Sequence, residues 1–211
     1  MGLAGPFVVG ITAQQLQQIE ARLNRSRAPA RLASGAALQC GPVVWHEVIV
    51  GIDPSLRGTG YGVLRLGRPG LTVLAQGTIR CPASWQRSKC LAHIARTIRA
   101  IVRQHRPTAC VIEALFYAQN LQTALVLGEA RGASLAAAAE AGLAIYEIAS
   151  RRVKQAIVGY GGAHKPAVAK MVQHLLHLAE TPEPDAADAL ALALAFAHEQ
   201  ARFGLSPLKP V

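Results

Sequence analysis

Long hydrophobic runs, paired cysteines and aromatic residues are all scarce in this sequence of 211 residues. The longest apolar run, 189–197, is far shorter than the roughly 20 residues that a bilayer crossing needs, so we expect no transmembrane segment. The four cysteines form no C-x-x-C pair and have no histidine at zinc-like spacing, which predicts a reduced cytoplasmic chain without structural zinc. With 51% hydrophobic and only 5% aromatic residues, the composition is typical of a globular protein whose helices are rich in alanine and leucine.

Acidic residues are also few. Twelve Asp and Glu stand against 22 Lys and Arg, which gives a formal net charge of +10. A surface of this charge attracts polyanions, so nucleic acid is the first partner to consider. A genome rich in G and C also favours arginine and alanine, and charge alone therefore leaves the question open.

The length favours one domain with an appendage. Residues 1–47 are rich in Gly, Ala, Gln and Arg with several helix breakers, and we expect a poorly ordered or appended N-terminal extension. A start site assigned too far upstream and a basic arm that holds DNA are both compatible with this composition. Residues 48–202 carry the regular hydrophobic patterns of a folded domain, and we expect 203–211 to be a loose tail.

The order of predicted elements indicates an α/β fold. An apolar strand over 48–52 ends at Asp53, a turn at 58–60 leads into a second strand over 61–66, and a third strand follows over 71–81. The remaining predicted elements are a helix over 84–105, a strand over 109–115, a helix over 120–141, a strand over 143–148, and helices over 165–178 and 185–202. Three antiparallel strands followed by strands separated by helices predict a mixed five-stranded sheet with helices on both faces.

The chain contains only three aspartates, and each lies at the end of a predicted element. Asp53 ends the first strand, and Asp185 and Asp188 open the last helix, three residues apart on one helix face. Asp53 before Pro54 could equally begin a turn, and the other pair could serve as a helix cap and a first-turn acid.

Glu113 is harder to explain without a function because it lies inside the apolar run 110–115. An ionised carboxylate buried there costs several kcal/mol unless a cation or hydrogen bonds compensate it. Four acids that converge at strand and helix ends would suit two divalent cations about 3.5 to 4 Å apart, and hard oxygen ligands favour Mg²⁺. Such a site predicts hydrolysis of a phosphodiester bond.

Several motifs follow one another along the chain. The first is Gly51-Ile52-Asp53-Pro54 with Arg57 and Thr59-Gly60-Tyr61-Gly62-Val63, and the second is Ile112-Glu113 with Phe116. The later ones are Leu127-Gly128-Glu129-Ala130-Arg131-Gly132, then Arg152-Val153-Lys154-Gln155 with Val158-Gly159 and Lys165, and finally Asp185-Ala186-Ala187-Asp188-Ala189-Leu190-Ala191. In this order they resemble the motifs of the RuvC family of Holliday-junction resolvases, and together they are far more specific than any one of them.

The resemblance implies an RNase H-like homodimer that binds four-way junction DNA and cuts it with two Mg²⁺ ions, for which Mn²⁺ can substitute. It implies that Asp53, Glu113, Asp185 and Asp188 hold the metal and that Lys165 takes part in catalysis. DNA contacts are implied for Phe116, Arg57, Lys154 and Lys165. The family also implies cooperation with the RuvA and RuvB branch-migration proteins.

The sequence departs from the family pattern at Ser55, Ala114 and Pro166, none of which removes a carboxylate. Two other interpretations remain open at this point. The first is a catalytically silent nucleic-acid-binding domain of the same fold. The second is an ATPase of the actin and sugar-kinase type, although such ATPases need two related domains.

Overall fold

The computed structural model describes residues 45–67, 70–114 and 121–201. Five strands are present: β1 (Val48–Asp53), β2 (Gly58–Leu66), β3 (Leu71–Arg80), β4 (Ala109–Glu113) and β5 (Ala144–Ile148). The helices of the described residues are α1 (Arg87–His105), α2 (Leu121–Glu140), α3 (Ser150–Val158), α4 (Lys165–Leu175) and α5 (Pro184–Ala201).

The strands form one mixed sheet in the order β3-β2-β1-β4-β5. The pairs β1/β2 and β2/β3 are antiparallel, whereas β1/β4 and β4/β5 are parallel. Each parallel pair is reached through a helical crossover, as parallel strands require. The predicted mixed five-stranded sheet is confirmed.

Alternating side chains on the strands divide the core into two layers. Ile49, Leu64 and Val111 pack on one face of the sheet, in the core shared with α3, α4 and α5. Their sequence neighbours, such as Val50 and Ile112, pack on the other face with α1 and α2. Helices therefore cover both faces of the sheet, and side chains two residues apart along a strand point to the same layer.

Helix α5 is apolar nearly all round because it is buried against the sheet and two other helices. Ala189, Leu190, Ala193 and Leu194 have no exposed surface. The sheet meets this helix through glycines, since a Cβ added to Gly51 would overlap the carbonyl oxygen of Ala189. The missing side chain lets the backbone of α5 lie directly on the sheet.

His46 ties the segment before β1 to the core. Its ring nitrogens lie 3.0 Å from Oγ1 of Thr108 and 3.0 Å from the hydroxyl of Tyr146. Its backbone N–H donates to Oε1 of Gln200 in α5 at 3.0 Å. Burial lowers the pKa of His46 below its ordinary value, which favours the neutral ring.

Two sequence predictions differ from the structure. Gly58-Thr59-Gly60 was predicted as a turn but lies within β2, and the chain reverses earlier, where Oγ1 of Thr59 donates to the carbonyl of Ser55 at 2.6 Å. Helix α3 was not predicted, because the stretch was interpreted only as a basic segment.

The predictions for residues 1–47 fall mainly outside the described residues, as does the predicted tail over 203–211. No helix in the described ranges is long and apolar enough to cross a membrane.

Candidate active site

Four carboxylates that the sequence singled out come from the ends of neighbouring elements. Asp53 is the last residue of β1 and Glu113 the last of β4, and these parallel strands are adjacent, with Ile52 opposite Ile112. Asp185 and Asp188 lie in the first two turns of α5, which packs on β1 and β2. We call this set, Asp53, Glu113, Asp185 and Asp188, the acidic edge.

Two glycines of β2 let the start of α5 lie close to that strand. Gly60 is the register partner of Asp53, and a Cβ on Gly60 would overlap the carbonyl oxygen of Asp185. A Cβ on Gly58 would lie 2.6 Å from Oδ2 of Asp185. The absence of side chains at these positions therefore sets the distance between the helix and the sheet.

The carboxyl group of Asp53 has a strongly raised pKa. Burial, the largest cause, and the negative charges of Asp188, Glu113 and Asp185 together raise this pKa from 3.8 to about 7. The positive charge of Lys165 opposes this increase. Near neutral pH, Asp53 therefore takes up and releases a proton, which is a common property of residues in active sites.

Lys165 is the cation of this site. It is the first residue of α4, and its Nζ donates to Oδ2 of Asp188 at 2.6 Å. This bond raises the pKa of Lys165, burial opposes the increase, and the charges of Asp188, Asp53 and Glu113 add to it. The side chain is 71% exposed, so it can also reach a ligand from solvent. Pro166 fits the first turn of α4, where its missing N–H costs no helical bond.

The acidic edge has the chemistry of a divalent-metal site. Its donors are carboxylate oxygens, and the charges that act on Asp53 within the described residues are three acids and one cation, Lys165, so negative charge remains in excess. Among the described residues, no three His, Cys, Asp or Glu side chains lie close enough together to hold a metal ion in the arrangement observed. The residue types fit a hard cation, and the carboxylates need to draw closer before they share one.

Glu113 differs in one respect from the sequence interpretation. It was taken as a buried carboxylate, but it is half-buried at the end of β4. Its cost of desolvation is therefore smaller than the apolar run suggested, because water reaches the end of the strand.

The predicted DNA-contact residues have different surroundings. Arg57 donates from Nη1 to the carbonyl oxygen of Pro82 at 2.6 Å and to Sγ of Cys90 at 3.4 Å, so it also joins the β1–β2 connection to the start of α1. Lys154 is half-buried in α3. Phe116 lies outside the described residues.

Arg131 was not selected from the sequence as a site residue. It lies in α2 and is only 7% exposed. Its Nη1 donates to the backbone carbonyl of Glu113 at 2.6 Å, and its Nη2 pairs with the carboxylate of Glu147. Its sequence signals were its position within an alanine-rich helix and within the motif that spans residues 127–132.

Comparison with known proteins identifies relatives of this chain. The family model described as "Crossover junction endodeoxyribonuclease RuvC" matches residues 49–198. A protein of that description from Pseudomonas aeruginosa (strain LESB58) is 47% identical over 153 residues, which cover 72% of this chain and 87% of that protein. Another from Pseudomonas putida (strain GB-1) is 48% identical over 151 residues, covering 72% and 86%.

Solved structures give the same result. The structure of T. thermophilus RuvC in complex with Holliday junction substrate has a TM-score of 0.71 and 35% identity, covering 79% of this chain and 100% of that one. A second structure of Thermus thermophilus RuvC has a TM-score of 0.68 and 34% identity, covering 78% and 99%.

Proposed function

Since the chain belongs to the RuvC family of crossover junction endodeoxyribonucleases, we propose that its acidic edge is the centre at which it cuts four-way DNA junctions. The chain is an endonuclease that resolves Holliday junctions. The observation that carries this assignment is the burial of the Asp53 carboxyl group beside three further acids, which raises its pKa to about 7.

The acidic edge would hold the divalent metal on which nucleases of this family depend, and we propose two Mg²⁺ ions, with Mn²⁺ as a substitute. When bound, the ions stabilise negative charge on the phosphate and on the attacking and leaving oxygens. Asp53, Glu113, Asp185 and Asp188 would be the ligands. The excess of negative charge in the site favours this occupant.

Protons and metal compete for Asp53. At pH 7 its carboxyl group holds a proton for about half of the time, since its pKa is about 7. That proton has to leave before both oxygens can act as ligands, so metal affinity should increase with pH through this range.

Lys165 would act on the DNA rather than on the metal. Its ammonium group, which has three N–H donors, donates to the Asp188 carboxylate, and the side chain is exposed. It can therefore donate to a phosphate oxygen at the cleaved bond and offset the charge that develops there.

Further DNA contacts are proposed for Arg57, Lys154 and Phe116. The two basic residues would bind backbone phosphates, which position the junction without reading its sequence. Phe116 follows Glu113 by three residues, and its ring would stack on an unpaired base at the crossover, worth about 1 to 3 kcal/mol.

We further propose that the enzyme acts as a homodimer, because two symmetrical nicks in a four-way junction need two active sites. The RuvA and RuvB branch-migration proteins are proposed partners on the basis of the family. Sedimentation of the purified chain would test the dimer, and co-purification with those two proteins on junction DNA would test the partnership.

We propose residues 48–202 as the nuclease domain, residues 1–47 as an appended extension and 203–211 as a tail. We propose the cytoplasm as its location. Limited proteolysis should leave a fragment that begins near Val48 and still cuts junctions. A fragment that loses cleavage while it remains folded would contradict this division.

The decisive experiment compares cleavage of a labelled four-way junction with cleavage of a linear duplex, in Mg²⁺ and in EDTA. We expect paired nicks in the junction only, in Mg²⁺ only, and none with Asp53→Asn. Junction binding without nicks in Mg²⁺ or Mn²⁺ would instead indicate the catalytically silent domain. Equal cleavage by Asp53→Asn would show that the acidic edge is not the centre.

A further inference from the structure

Arg131 is a buried cation that the proposed reaction does not use directly. Arginine is almost never fully buried without a partner, because removing its charge from water is costly. Its two partners are the backbone carbonyl of Glu113 and the carboxylate of Glu147. One guanidinium group therefore joins the ends of β4 and β5.

The contact lies where the sheet ends and the acidic edge begins. Glu113 is the last residue of β4, and its register partner is Ile148 in β5. The next N–H, that of Ala114, donates to the carbonyl of Ile148 at 3.0 Å. Because β4 ends at Glu113, Arg131 holds the last backbone carbonyl of the strand that carries the Glu113 carboxylate.

Arg131 approaches Glu113 from the layer opposite the acids. Alternation along β4 places the Glu113 side chain with Val111, in the layer of α5. Arg131 extends from α2, whose Ala130 and Ala137 belong to the other layer. The guanidinium group thus fixes the backbone from one face while the carboxylate faces Asp53 from the other.

We infer that Arg131 is a positioning residue, which acts through the Glu113 backbone to set the affinity of the acidic edge for divalent metal. The inference rests on the proposed function of that edge. A planar group with two donors holds a carbonyl and a carboxylate at a fixed separation, which a single ammonium group cannot do. Residues that orient metal ligands typically change metal affinity or activity by about 10- to 100-fold when they are replaced.

The test compares Arg131→Gln with Glu147→Gln. Both variants break the same ion pair, but only the first removes the donor to the Glu113 carbonyl. Three quantities are measured on the full chain: melting temperature in EDTA, the Mg²⁺ or Mn²⁺ concentration that gives half of the metal-induced increase in melting temperature, and junction binding in EDTA. Junction cleavage over a range of Mg²⁺ concentration is the fourth.

We expect both variants to melt at lower temperature than the parent chain. Arg131→Gln should need about tenfold more metal or higher for half-saturation, in both the melting and the cleavage measurements. Its junction binding in EDTA should stay unchanged. Glu147→Gln should keep the metal requirement of the parent chain within about twofold.

An equal shift in both variants, or no shift in Arg131→Gln, would overturn the inference, because the arginine would then only stabilise the fold. If Arg131→Gln does not fold, Arg131→Lys takes its place: it keeps the charge and loses the planar pair of donors, and an unchanged metal requirement refutes the role. A parent chain that shows no metal response at all would instead refute the proposed function.

Discussion

Asp53→Asn should make the metal-free protein more stable at pH 8, although it should abolish cleavage. Burial and three neighbouring acids raise the pKa of Asp53 from 3.8 to about 7 in the folded chain. In the unfolded chain those neighbours disperse and the group regains its ordinary pKa. The folded state therefore binds this proton more tightly than the unfolded state does.

The sign of the pH dependence follows from these two values. Below about pH 4, Asp53 is protonated in both states and contributes nothing to the difference between the variants. As the pH rises from 4 to 7, the unfolded chain releases the Asp53 proton readily, whereas ionisation in the folded chain is unfavourable. The free energy of unfolding of the parent chain therefore decreases over this range. Above pH 7 the loss is complete.

The size of the loss follows from the same change in pKa. A difference between 3.8 and about 7 corresponds to about 4 kcal/mol. Movement of the acids away from one another in the absence of metal reduces this value, so we expect Asp53→Asn to gain about 2 kcal/mol or more at pH 8. For a chain of this size, that gain raises the melting temperature by about 5 °C or more.

Thermal and urea unfolding in EDTA at pH 5 and pH 8 measure this prediction. Glu140→Gln is the charge-matched control, because Glu140 forms an exposed ion pair with Arg99 at 2.8 Å, and such pairs contribute about 0 to 1 kcal/mol. Added Mg²⁺ should stabilise the parent chain more than Asp53→Asn. The reasoning would be refuted if Asp53→Asn in EDTA were no more stable than the parent chain at pH 8. It would also be refuted if the variant exceeded the parent's stability by the same amount at pH 5 and pH 8.

Three further predictions concern the neighbours of this site and the N-terminal contact. Gly60→Ala should lower the free energy of unfolding by about 1 to 3 kcal/mol and reduce cleavage, because the added methyl group displaces α5. In the control Gly128→Ala, the methyl group meets no atom within 4 Å, and the free energy of unfolding should change by less than about 1 kcal/mol. Lys165→Met should raise the Asp53 pKa above about 7, as measured by carboxyl NMR, whereas Lys165→Arg should not. Because burial lowers the His46 pKa, the parent chain should lose stability as the pH falls below 6.5, and His46→Gln should not show this loss. Urea unfolding between pH 5 and 7.5 measures the difference.

Much of the fold could be predicted from hydrophobic spacing. The apolar strands and the long helices have periods of two and about 3.6 residues, and their predicted bounds differ from the structure by only a few residues. Helix α3 was missed because it is short and basic, and its burial involves only Val153 and Ile157. The turn predicted at residues 58–60 was wrong because glycines there serve the close approach of α5.

The acidic edge could be predicted only as a set of residues. The scarcity of aspartate and the position of each acid at an element end pointed to the four carboxylates. The roles of Lys165 and Arg131 depend on contacts between distant parts of the chain. Nothing in the local pattern of an alanine-rich helix shows that its arginine reaches the carbonyl of Glu113.

The packing of α5 on β1 and β2 also determines when a newly made molecule can begin to act. During synthesis, Asp185 leaves the ribosome after Asp53, from which it is separated by about 130 residues, and at 5 to 20 residues per second this takes about 7 to 26 s. Throughout that interval the emerging chain carries Asp53 without Asp185 and Asp188. With the acidic edge as the proposed centre, we expect cutting to begin only after α5 has packed against β1.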